Sequence, residues 1–371
     1  FKRHLEVIEE LEILIDDSIA NIKTKLSAVE DFELREENVN DLLFKSSIGA
    51  KLRVISCAAN DILQQSFLRG CSPEFKATFH NTFPAINYAS CKNEEDIFIQ
   101  AGISFIPAFL RESPAVINKA QQGKLPEVIQ TSDIKSIIHS HSDWSDGSHT
   151  IEVMARAALN KGLEYLVISD HSKSAFYAKG LYEDRVKEQH HYINELNQQL
   201  APFKIFKSIE SDILNDGSLD YSNEVLSTFD LVIASVHSNL KMPEDKAMMR
   251  LLKAIENPYT TILGHMTGRL LLSRKGYPVD HKKIIDACAA NNVVIELNAH
   301  PNRLDIDWRH IDYALEKNVL ISIDPDAHAV EGFDDIRYGV LVAQKAMVTK
   351  EQNLSSFGLK EFEAFLSRKK K

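Results

Sequence analysis

The sequence has few cysteines and no long apolar run, and these absences exclude several classes of protein. The four cysteines among 371 residues are scattered and form no CxxC pair, which suits a reducing compartment. No stretch of 18 or more apolar residues occurs, so no membrane-spanning helix is predicted. No basic segment precedes an apolar stretch in the way of a signal peptide. We therefore expect a protein of the cytoplasm.

An excess of positive charge is also lacking. Lys and Arg number 43 against 53 Asp and Glu, which gives a net charge of −10. Neither the part before residue 132 nor the part after it is basic, so strong non-specific binding to nucleic acid is not indicated. The sequence begins at Phe1 rather than Met, and we expect it to be a fragment of a longer chain.

Beyond residue 132, apolar runs rich in β-branched residues alternate with helical patterns. Near-continuous apolar strands between helices are typical of a parallel sheet that is buried on both faces. Seven such units predict a closed (β/α) barrel rather than an open sheet, although the pattern alone does not force closure. The tail Ser367–Lys371 is predicted to fray. The seven predicted strands are Ile134–Ile138, Tyr165–Ser169, Lys204–Ile209, Leu231–Val236, Thr261–Leu263, Val293–Leu297 and Val319–Ile323.

Histidines and acidic residues follow these runs, at the strand ends that point into the mouth of such a barrel. In a strand, residues i and i+2 point to the same side, so the two imidazoles of an HxH pair can bind one metal. Nine candidate ligands exceed the needs of one ion and predict two or three divalent ions. Mixed histidine and carboxylate ligands favour Zn²⁺, Mn²⁺ or Fe²⁺ over Ca²⁺ or Mg²⁺. The nine candidates are His139, His141, Asp146, His171, Glu210, His237, His265, Asp326 and His328.

Clustered metals are well suited to phosphate-ester hydrolysis, because they lower the pKa of a bound water and hold the attacking and leaving oxygens. The simpler explanation of any single member is a histidine that is hydrogen-bonded inside the barrel. That explanation is weak for the whole set, since nearly every unit ends in a histidine or an acid.

These residues resemble the metal-binding motifs of the polymerase-and-histidinol-phosphatase (PHP) superfamily. The matching segments are His139-Ser-His141 with Asp146-Gly147, Asp170-His171, Gly264-His265 and Asp326-Ala-His328, together with Glu210 and His237. The resemblance covers residues 133–345. It implies a distorted (β/α)7 barrel and a trinuclear metal site that hydrolyses phosphoesters.

A narrower resemblance is to the PHP domain of bacterial family X DNA polymerases. It is carried by Gly264-His-Met-Thr-Gly-Arg269, by Glu296-Leu-Asn298 and by Arg303-Leu-Asp305. Upstream, Phe105-Ile-Pro-Ala-Phe-Leu-Arg111-Glu112 is similar to the end of that family's thumb. The resemblance implies the C-terminal portion of such a polymerase, with a Mn²⁺-dependent 3′→5′ exonuclease that acts on DNA 3′ ends, including damaged ones.

The upstream region departs from that family where the polymerase needs aspartates. The segment Arg3–Ile15 resembles the palm strand, with Glu10 and Glu12 at the aspartate positions, and Gly49–Val54 resembles the neighbouring strand, with Lys51 at the third. A lysine removes a metal ligand and a glutamate moves the carboxylate outward, so we expect polymerase activity to be lost. The alternative is that these residues are ordinary exposed charges.

Two arginines lie just past the fifth and sixth strands. Arg269 and Arg303 are candidates for a bidentate grip on phosphate, with a salt bridge at the barrel rim as the alternative. Asp170 and Asn298 are candidates for the shell that orients the ligands. For Asp170, a helix-capping role is the alternative.

Aromatic residues occur in the loops that follow the first two strands. Trp144 and Tyr177 are candidates for stacking on a nucleobase, and packing within the loops is the more common explanation.

Three functions follow for a chain with a polymerase-like palm and thumb region at 1–112, a linker at 113–132 and a PHP barrel at 133–371. The first is a metal-dependent phosphoesterase that processes single-stranded or damaged DNA 3′ ends in repair. The second is a small-molecule phosphatase of the histidinol-phosphatase type, which the acidic net charge favours. The third is a non-catalytic DNA-binding module, which the complete ligand set argues against.

Overall fold

The computed structural model of the chain describes residues 2–369, and contacts divide the chain into two compact units, Phe1–Pro126 and Glu127–Lys371. The boundary falls inside the segment 113–132 that was predicted as a linker. This segment is not simply extended, because the helix Ala115–Gln121 buries Val116 and Ile117.

The first unit contains a four-stranded sheet in the order β1-β4-β3-β2, in which β1 pairs in parallel with β4 and the other pairs are antiparallel. Ile22 of the first helix packs on Leu42, Phe44 and Val54 of this sheet. The elements are β1 (Leu11–Ile15), α1 (Ile19–Ser27), β2 (Phe32–Glu37), β3 (Asp41–Ser46), β4 (Lys51–Ser56), α2 (Ile62–Arg69), α3 (Pro73–Thr82), α4 (Glu94–Ala101) and α5 (Ala115–Gln121).

The helices of this unit gather around a buried cation. The side chain of Arg111 is fully buried, with its guanidinium carbon 4.9 Å from the ring centre of Phe67 and 5.0 Å from that of Phe98. Its charge is balanced by Glu94, whose carboxylate lies 2.7 Å away. A paired and stacked arginine of this kind fixes how the surrounding helices pack.

The second unit is a barrel of seven parallel strands, in the order β11-β10-β9-β8-β7-β6-β5. Strands β6, β8, β9, β10 and β11 are buried at every residue, as expected where helices cover the outside and side chains fill the inside. The predicted α/β barrel of seven units is therefore confirmed. The strands are β5 (Ser136–Ile137), β6 (Tyr165–Ile168), β7 (Lys204–Asp212), β8 (Leu231–Ser235), β9 (Thr260–Leu263), β10 (Val294–Asn298) and β11 (Ile321–Asp324).

The ring closes just beyond the ends of its first and last strands. Ser140 forms a parallel bridge with Ala327. The His141 amide donates to the Ala327 carbonyl at 2.8 Å, and the Ala327 amide donates to the His139 carbonyl at 3.2 Å. Closure therefore lays the HxH segment directly against the Asp326-Ala327-His328 segment.

The interior of the barrel is apolar at the end opposite the closure. Tyr165 and Phe206 of the strands contact Phe362 of the last helix, with ring centres 4.6 and 4.9 Å apart. Helices surround the barrel and the last one covers this end. They are α6 (Ile151–Asn160), α7 (Glu183–Leu200), α8 (Asn223–Leu226), α9 (Glu244–Ile255), α10 (His281–Asn291), α11 (Ile311–Glu316), α12 (Ile336–Lys345) and α13 (Leu359–Lys369).

The last helix continues as far as Lys369, so fraying from Ser367 is not observed, and residues 370 and 371 lie outside the described part of the chain. None of the helices in residues 2–369 combines the length and the apolar character that crossing a membrane requires.

A buried arginine on α9 holds the two loops that leave β7 and β8. Arg250 is fully buried, and its guanidinium donates to the carbonyls of Ser238 at 2.9 Å, Leu214 at 3.0 Å and Ile213. Of these three residues Ile213 is buried, and a shorter or apolar side chain at position 250 would remove the guanidinium donor from its carbonyl.

We expect Arg250→Met to lower the free energy of unfolding of the barrel by about 3 kcal/mol, because three charge-assisted hydrogen bonds to the two loops are lost, one of them to the buried residue Ile213. Urea unfolding followed by tryptophan fluorescence measures this change, and both tryptophans, Trp144 and Trp308, lie in the barrel unit. The control Lys253→Met, on the exposed side of the same helix, should cost less than about 1 kcal/mol. Equal midpoints for the two variants would contradict the bracing role.

Candidate metal centre

The barrel mouth brings all nine candidate ligands together at the strand ends where they were predicted. Because the ring closes at Ser140 and Ala327, His139 and His141 face Asp326 across the closure. The Nε2 atoms of His139 and His141 lie 3.6 and 3.1 Å from an Asp326 carboxylate oxygen. Asp326 itself has a left-handed backbone, with φ of 53°, which is uncommon for a residue with a side chain.

One carboxylate, that of Glu210 near the end of β7, lies at the centre of the cluster. It is 1% exposed, and five imidazoles approach its two oxygens. The oxygen Oε2 is 3.5 Å from His139, 3.6 Å from His141 and 3.0 Å from His171. The oxygen Oε1 is 3.2 Å from His237 and 2.9 Å from His265. The two oxygens of this carboxylate therefore contact different imidazoles, and Glu210 would be able to hold a cation together with them.

The solvent side of the cluster is formed by Asp146 and His328, whose side chains are 33% and 41% exposed. Asp146 lies 3.4 Å from His328, 3.7 Å from His171 and 4.0 Å from His141. A cavity of about 430 Å³ opens beside this edge and is lined in part by Asp326, His328 and Arg303. A substrate therefore has access to the cluster from this side.

Within residues 2–369, three overlapping groups have ligand atoms close enough together to hold a cation. In each group these atoms lie within 4.8 Å of one another. The groups share His141 and His171, so the positions adjoin. They are His141, Asp146, His171 and His328; His139, His141 and Asp326; and His171, Glu210 and His237.

The chemistry of the donors fits metal ions. Five candidate ligands each keep one buried polar atom that makes no well-aligned hydrogen bond within the described residues, although some of these atoms lie close to one another, and such an atom is costly unless another group satisfies it. Imidazole and carboxylate are the ligands that Zn²⁺, Mn²⁺ and Fe²⁺ take. The atoms are His139 Nε2, His141 Nδ1, His171 Nδ1, Glu210 Oε2 and His265 Nδ1.

Burial and neighbouring charges shift the pKa values of the candidate ligands in opposite directions. Burial lowers the pKa of His237, but Glu210 and Asp212 outweigh it and raise the pKa to about 10. Burial dominates at His171, where the pKa falls to about 4. At Asp146, burial is outweighed by His328 and the neighbouring imidazoles, which lower the pKa of the carboxyl to about 2. The carboxylates thus stay ionised and attract positive charge into the mouth.

Two carboxylates that sequence reasoning did not assign lie behind the ligand histidines. Asp212 accepts from His237 Nδ1 at 2.5 Å, and Glu296 contacts His139 Nδ1 at 2.5 Å. Such partners fix the tautomer and orientation of a ligand imidazole. The signal was present in the sequence, because Asp212 stands two residues after Glu210 and therefore points to the same side of its strand.

The two residues predicted to orient ligands are both buried and fully engaged. Asp170 accepts from the backbone amide of Ser142 at 2.7 Å and from the side-chain amide of Gln189 at 2.7 Å. It therefore anchors the loop between His141 and Asp146 rather than a helix start. Asn298 donates to Asp326 at 3.1 Å.

The two rim arginines differ. Arg269 donates to the carbonyls of Arg303 and Leu304 and pairs with Asp307 at 2.8 Å, so its guanidinium braces a loop and the salt-bridge alternative fits it better than a phosphate grip. Arg303 lines the cavity, 3.6 Å from Asp326, and stays a candidate for phosphate.

The two loop aromatics also differ. Trp144 is packed, since Tyr192 stacks on its ring and Arg185 lies over it at 5.3 Å. Tyr177 is 62% exposed beside His171.

Comparison with known proteins adds the family. The PHP domain model matches residues 138–300. Over 276 residues the chain is 40% identical to DNA polymerase/3′-5′ exonuclease PolX of Bacillus subtilis (strain 168). This match covers 74% of this chain and 48% of the relative. The chain thus spans about half the length of that relative. Over 254 residues it is 25% identical to a probable phosphatase of Thermoanaerobacter sp. (strain X514), covering 64% of this chain and 97% of the relative.

Among solved structures, the chain is similar to histidinol phosphate phosphatase of Lactococcus lactis subsp. lactis Il1403, complexed with Zn, L-histidinol and phosphate. The TM-score is 0.45 at 19% identity, over 57% of this chain and 93% of that one.

The barrel with its strand-end cluster therefore defines a PHP domain, from a family of phosphoesterases, and the predicted family is confirmed. The resemblance to family X polymerases is also confirmed at the level of sequence, since the 40% identity extends over three quarters of the chain.

We expect Asp212→Asn to weaken metal binding about 10- to 100-fold, because His237 loses the carboxylate that orients it and raises its basicity. Competition with a chelator, read by metal analysis of the protein fraction, measures the change. Asp216→Asn is the matched control, since Asp216 lies in the turn after the same strand, with its side chain 66% exposed. Unchanged affinity for Asp212→Asn would mean that His237 needs no such support.

Proposed function

We propose that this chain is a metal-dependent phosphoesterase that hydrolyses DNA phosphodiesters, acting as a 3′→5′ exonuclease or 3′-end processing enzyme in DNA repair, without polymerase activity. Its partners would be DNA 3′ ends, single-stranded or damaged, and its place the cytoplasm.

The observation that carries the proposal is the position of Glu210. Five imidazoles lie within 3.6 Å of its buried carboxylate, and several of their buried nitrogens make no well-aligned hydrogen bond in the described structure. A set of buried ionisable groups at this density is stable only if cations or protons balance it. Two or three divalent ions (Mn²⁺, Zn²⁺ or Fe²⁺) would provide that balance.

The three overlapping groups described above would hold these ions. When bound, divalent ions supply Lewis-acid activation of water and neutralise phosphate charge. The chain's own part is to fix the ligands: Asp212 and Glu296 orient His237 and His139, and Asn298 orients Asp326. Arg303, at the cavity wall, would grip a non-bridging phosphate oxygen.

DNA as substrate is supported by the first unit. The relative in Bacillus subtilis is named as a DNA polymerase and 3′-5′ exonuclease, and the match to it includes more of this chain than the barrel alone. A small-molecule phosphatase would have no need of the upstream sheet and helices.

The second candidate, a small-molecule phosphatase, is favoured by the probable phosphatase that matches this chain over 97% of its own length. The net charge of −10 also gives the chain no general attraction to nucleic acid.

Loss of polymerase activity is supported by the residues that surround Glu12, on β1, and Glu10, just before it. The Glu10 carboxylate lies 2.5 Å from the Arg53 guanidinium, which also contacts Asp41 at 2.5 Å, and Glu12 pairs with Arg69 at 2.8 Å. These carboxylates are thus paired with guanidinium groups, whereas two-metal nucleotidyl transfer would need them free to bind metal ions. Lys51, at the start of β4, adds a further positive charge.

We expect the chain with Mn²⁺ to release the terminal nucleotide from a 3′-labelled single strand and to release no phosphate from histidinol phosphate. His141→Ala should abolish the release, because His141 belongs to two of the three ligand groups. Product analysis on a denaturing gel and a phosphate assay provide the two readouts.

The matched control for this assay is His191→Ala, which removes an imidazole that is 77% exposed on α7 and should leave both activities unchanged. Phosphate from histidinol phosphate alone would favour the second candidate. Silence on both substrates, with metal bound, would leave a non-catalytic DNA-binding module.

We also expect no primer extension when dNTPs and Mg²⁺ or Mn²⁺ are supplied on a primer-template. The His141→Ala variant should be used, so that degradation of the primer does not hide extension. A primer lengthened by even one templated nucleotide would show that Arg53 and Arg69 do not block the site.

A further inference from the structure

Exposed aromatic rings are concentrated beside the metal centre. Among the large hydrophobic side chains exposed in residues 2–369, four are aromatic, and three of these lie between β6 and the first turn of α7. Phe176 is 83% exposed, Tyr177 62% and Tyr182 60%, while the fourth, Phe105, is in the first unit. Single exposed apolar residues are ordinary, but a group of rings at the edge of a site indicates contact with a ligand.

The loop that presents these rings is well anchored, so their exposure is not the result of a loose segment. The Leu181 amide donates to the His171 carbonyl at 2.9 Å. Ser174 donates from its amide and its hydroxyl to Asp220, at 2.6 and 2.5 Å. Gly180 lies so close to the Ser172 carbonyl that an added Cβ would be 1.9 Å from the oxygen. Ordered aromatic rings bind without a large entropic cost.

The rings lie next to the ligands. The ring centre of Tyr177 is 6.4 Å from that of His171. The ring of Phe176 is 6.1 Å from that of Tyr177, at an angle of 77°, and is the more exposed of the two.

Because the Tyr177 ring lies beside His171, a base next to a phosphodiester held at the cluster would come close to this loop. Stacking on aromatic rings recognises any base, because every base has a flat π face. It also supplies affinity without positive charge, which a chain of net charge −10 lacks. A small phosphate ester with no base gains nothing from these rings.

We propose that Phe176 and Tyr177 form a stacking platform for the nucleobase beside the scissile phosphate, and that this platform makes the site select single-stranded nucleic-acid ends over small phosphomonoesters. The proposal rests on the function proposed above and names two residues as specificity determinants.

The kinetic test compares two substrates. For a single strand with ordinary bases, Phe176→Ala/Tyr177→Ala should raise KM about tenfold to a hundredfold, the range expected for one lost base stack. For the same strand with stable abasic residues on both sides of the scissile bond, the variant and the unaltered chain should have equal KM. Phe176→Trp should keep the unaltered KM on the ordinary strand.

The control is Met249→Ala, which shortens another exposed large side chain, 38% exposed on α9. It should change neither KM nor kcat. An equal loss on ordinary and abasic strands, or no loss at all, would overturn the platform.

A second measurement does not depend on cleavage. With metal chelated, a strand carrying 2-aminopurine at its 3′ end should lose fluorescence on binding the unaltered chain and keep it at saturation with the double variant. If the unaltered chain cleaves no DNA, the proposed function fails while this measurement still decides the platform. Equal fluorescence with both proteins would overturn the proposed platform.

Discussion

The structure of the barrel mouth depends on one buried carboxylate. Glu210 has five imidazoles within 3.6 Å, and no arrangement of neutral hydrogen bonds satisfies so many groups at once. Closure of the ring at Ser140 and Ala327 makes this density possible, since it brings the first and last strands of the barrel, far apart in sequence, to one edge. Behind the ligands, Asp212 and Glu296 hold the imidazoles in place. Under the proposed function, the barrel is a rigid frame that would hold divalent cations.

Carboxylates have different cationic partners in the two units. In the barrel, carboxylates are surrounded by imidazoles, which bind metal when neutral and leave room for ions. In the first unit, Glu10, Glu12 and Asp41 are paired with the guanidinium groups of Arg53 and Arg69, which carry a fixed charge that does not leave. Carboxylates are thus paired with imidazoles in one unit and with guanidinium groups in the other, and under the proposed function the imidazoles leave room for metal ions.

The strands and the ligand positions could be predicted from sequence because they depend on local patterns: apolar runs, and polar residues at their ends. The same reasoning could have found Asp212, which follows Glu210 at a spacing of two. The sequence offered both a phosphate grip and a rim salt bridge for Arg269 and could not decide between them. Its partners, the carbonyls of Arg303 and Leu304 and the carboxylate of Asp307, lie more than thirty residues away and meet it only in the folded chain. The exposure of Phe176 and the packing of the half-buried Trp144 likewise depend on neighbours that the sequence does not identify.

The most direct test of this account is the metal content of the purified protein, measured by elemental analysis after loading with Mn²⁺ or Zn²⁺ and removal of excess. We expect two or three equivalents per chain, and a loss of at least one equivalent in Glu210→Gln, which keeps the size of the side chain but removes its charge. A chain that retains less than one equivalent, or a Glu210→Gln variant that binds as much metal as the unaltered protein, would contradict the central role given to this carboxylate.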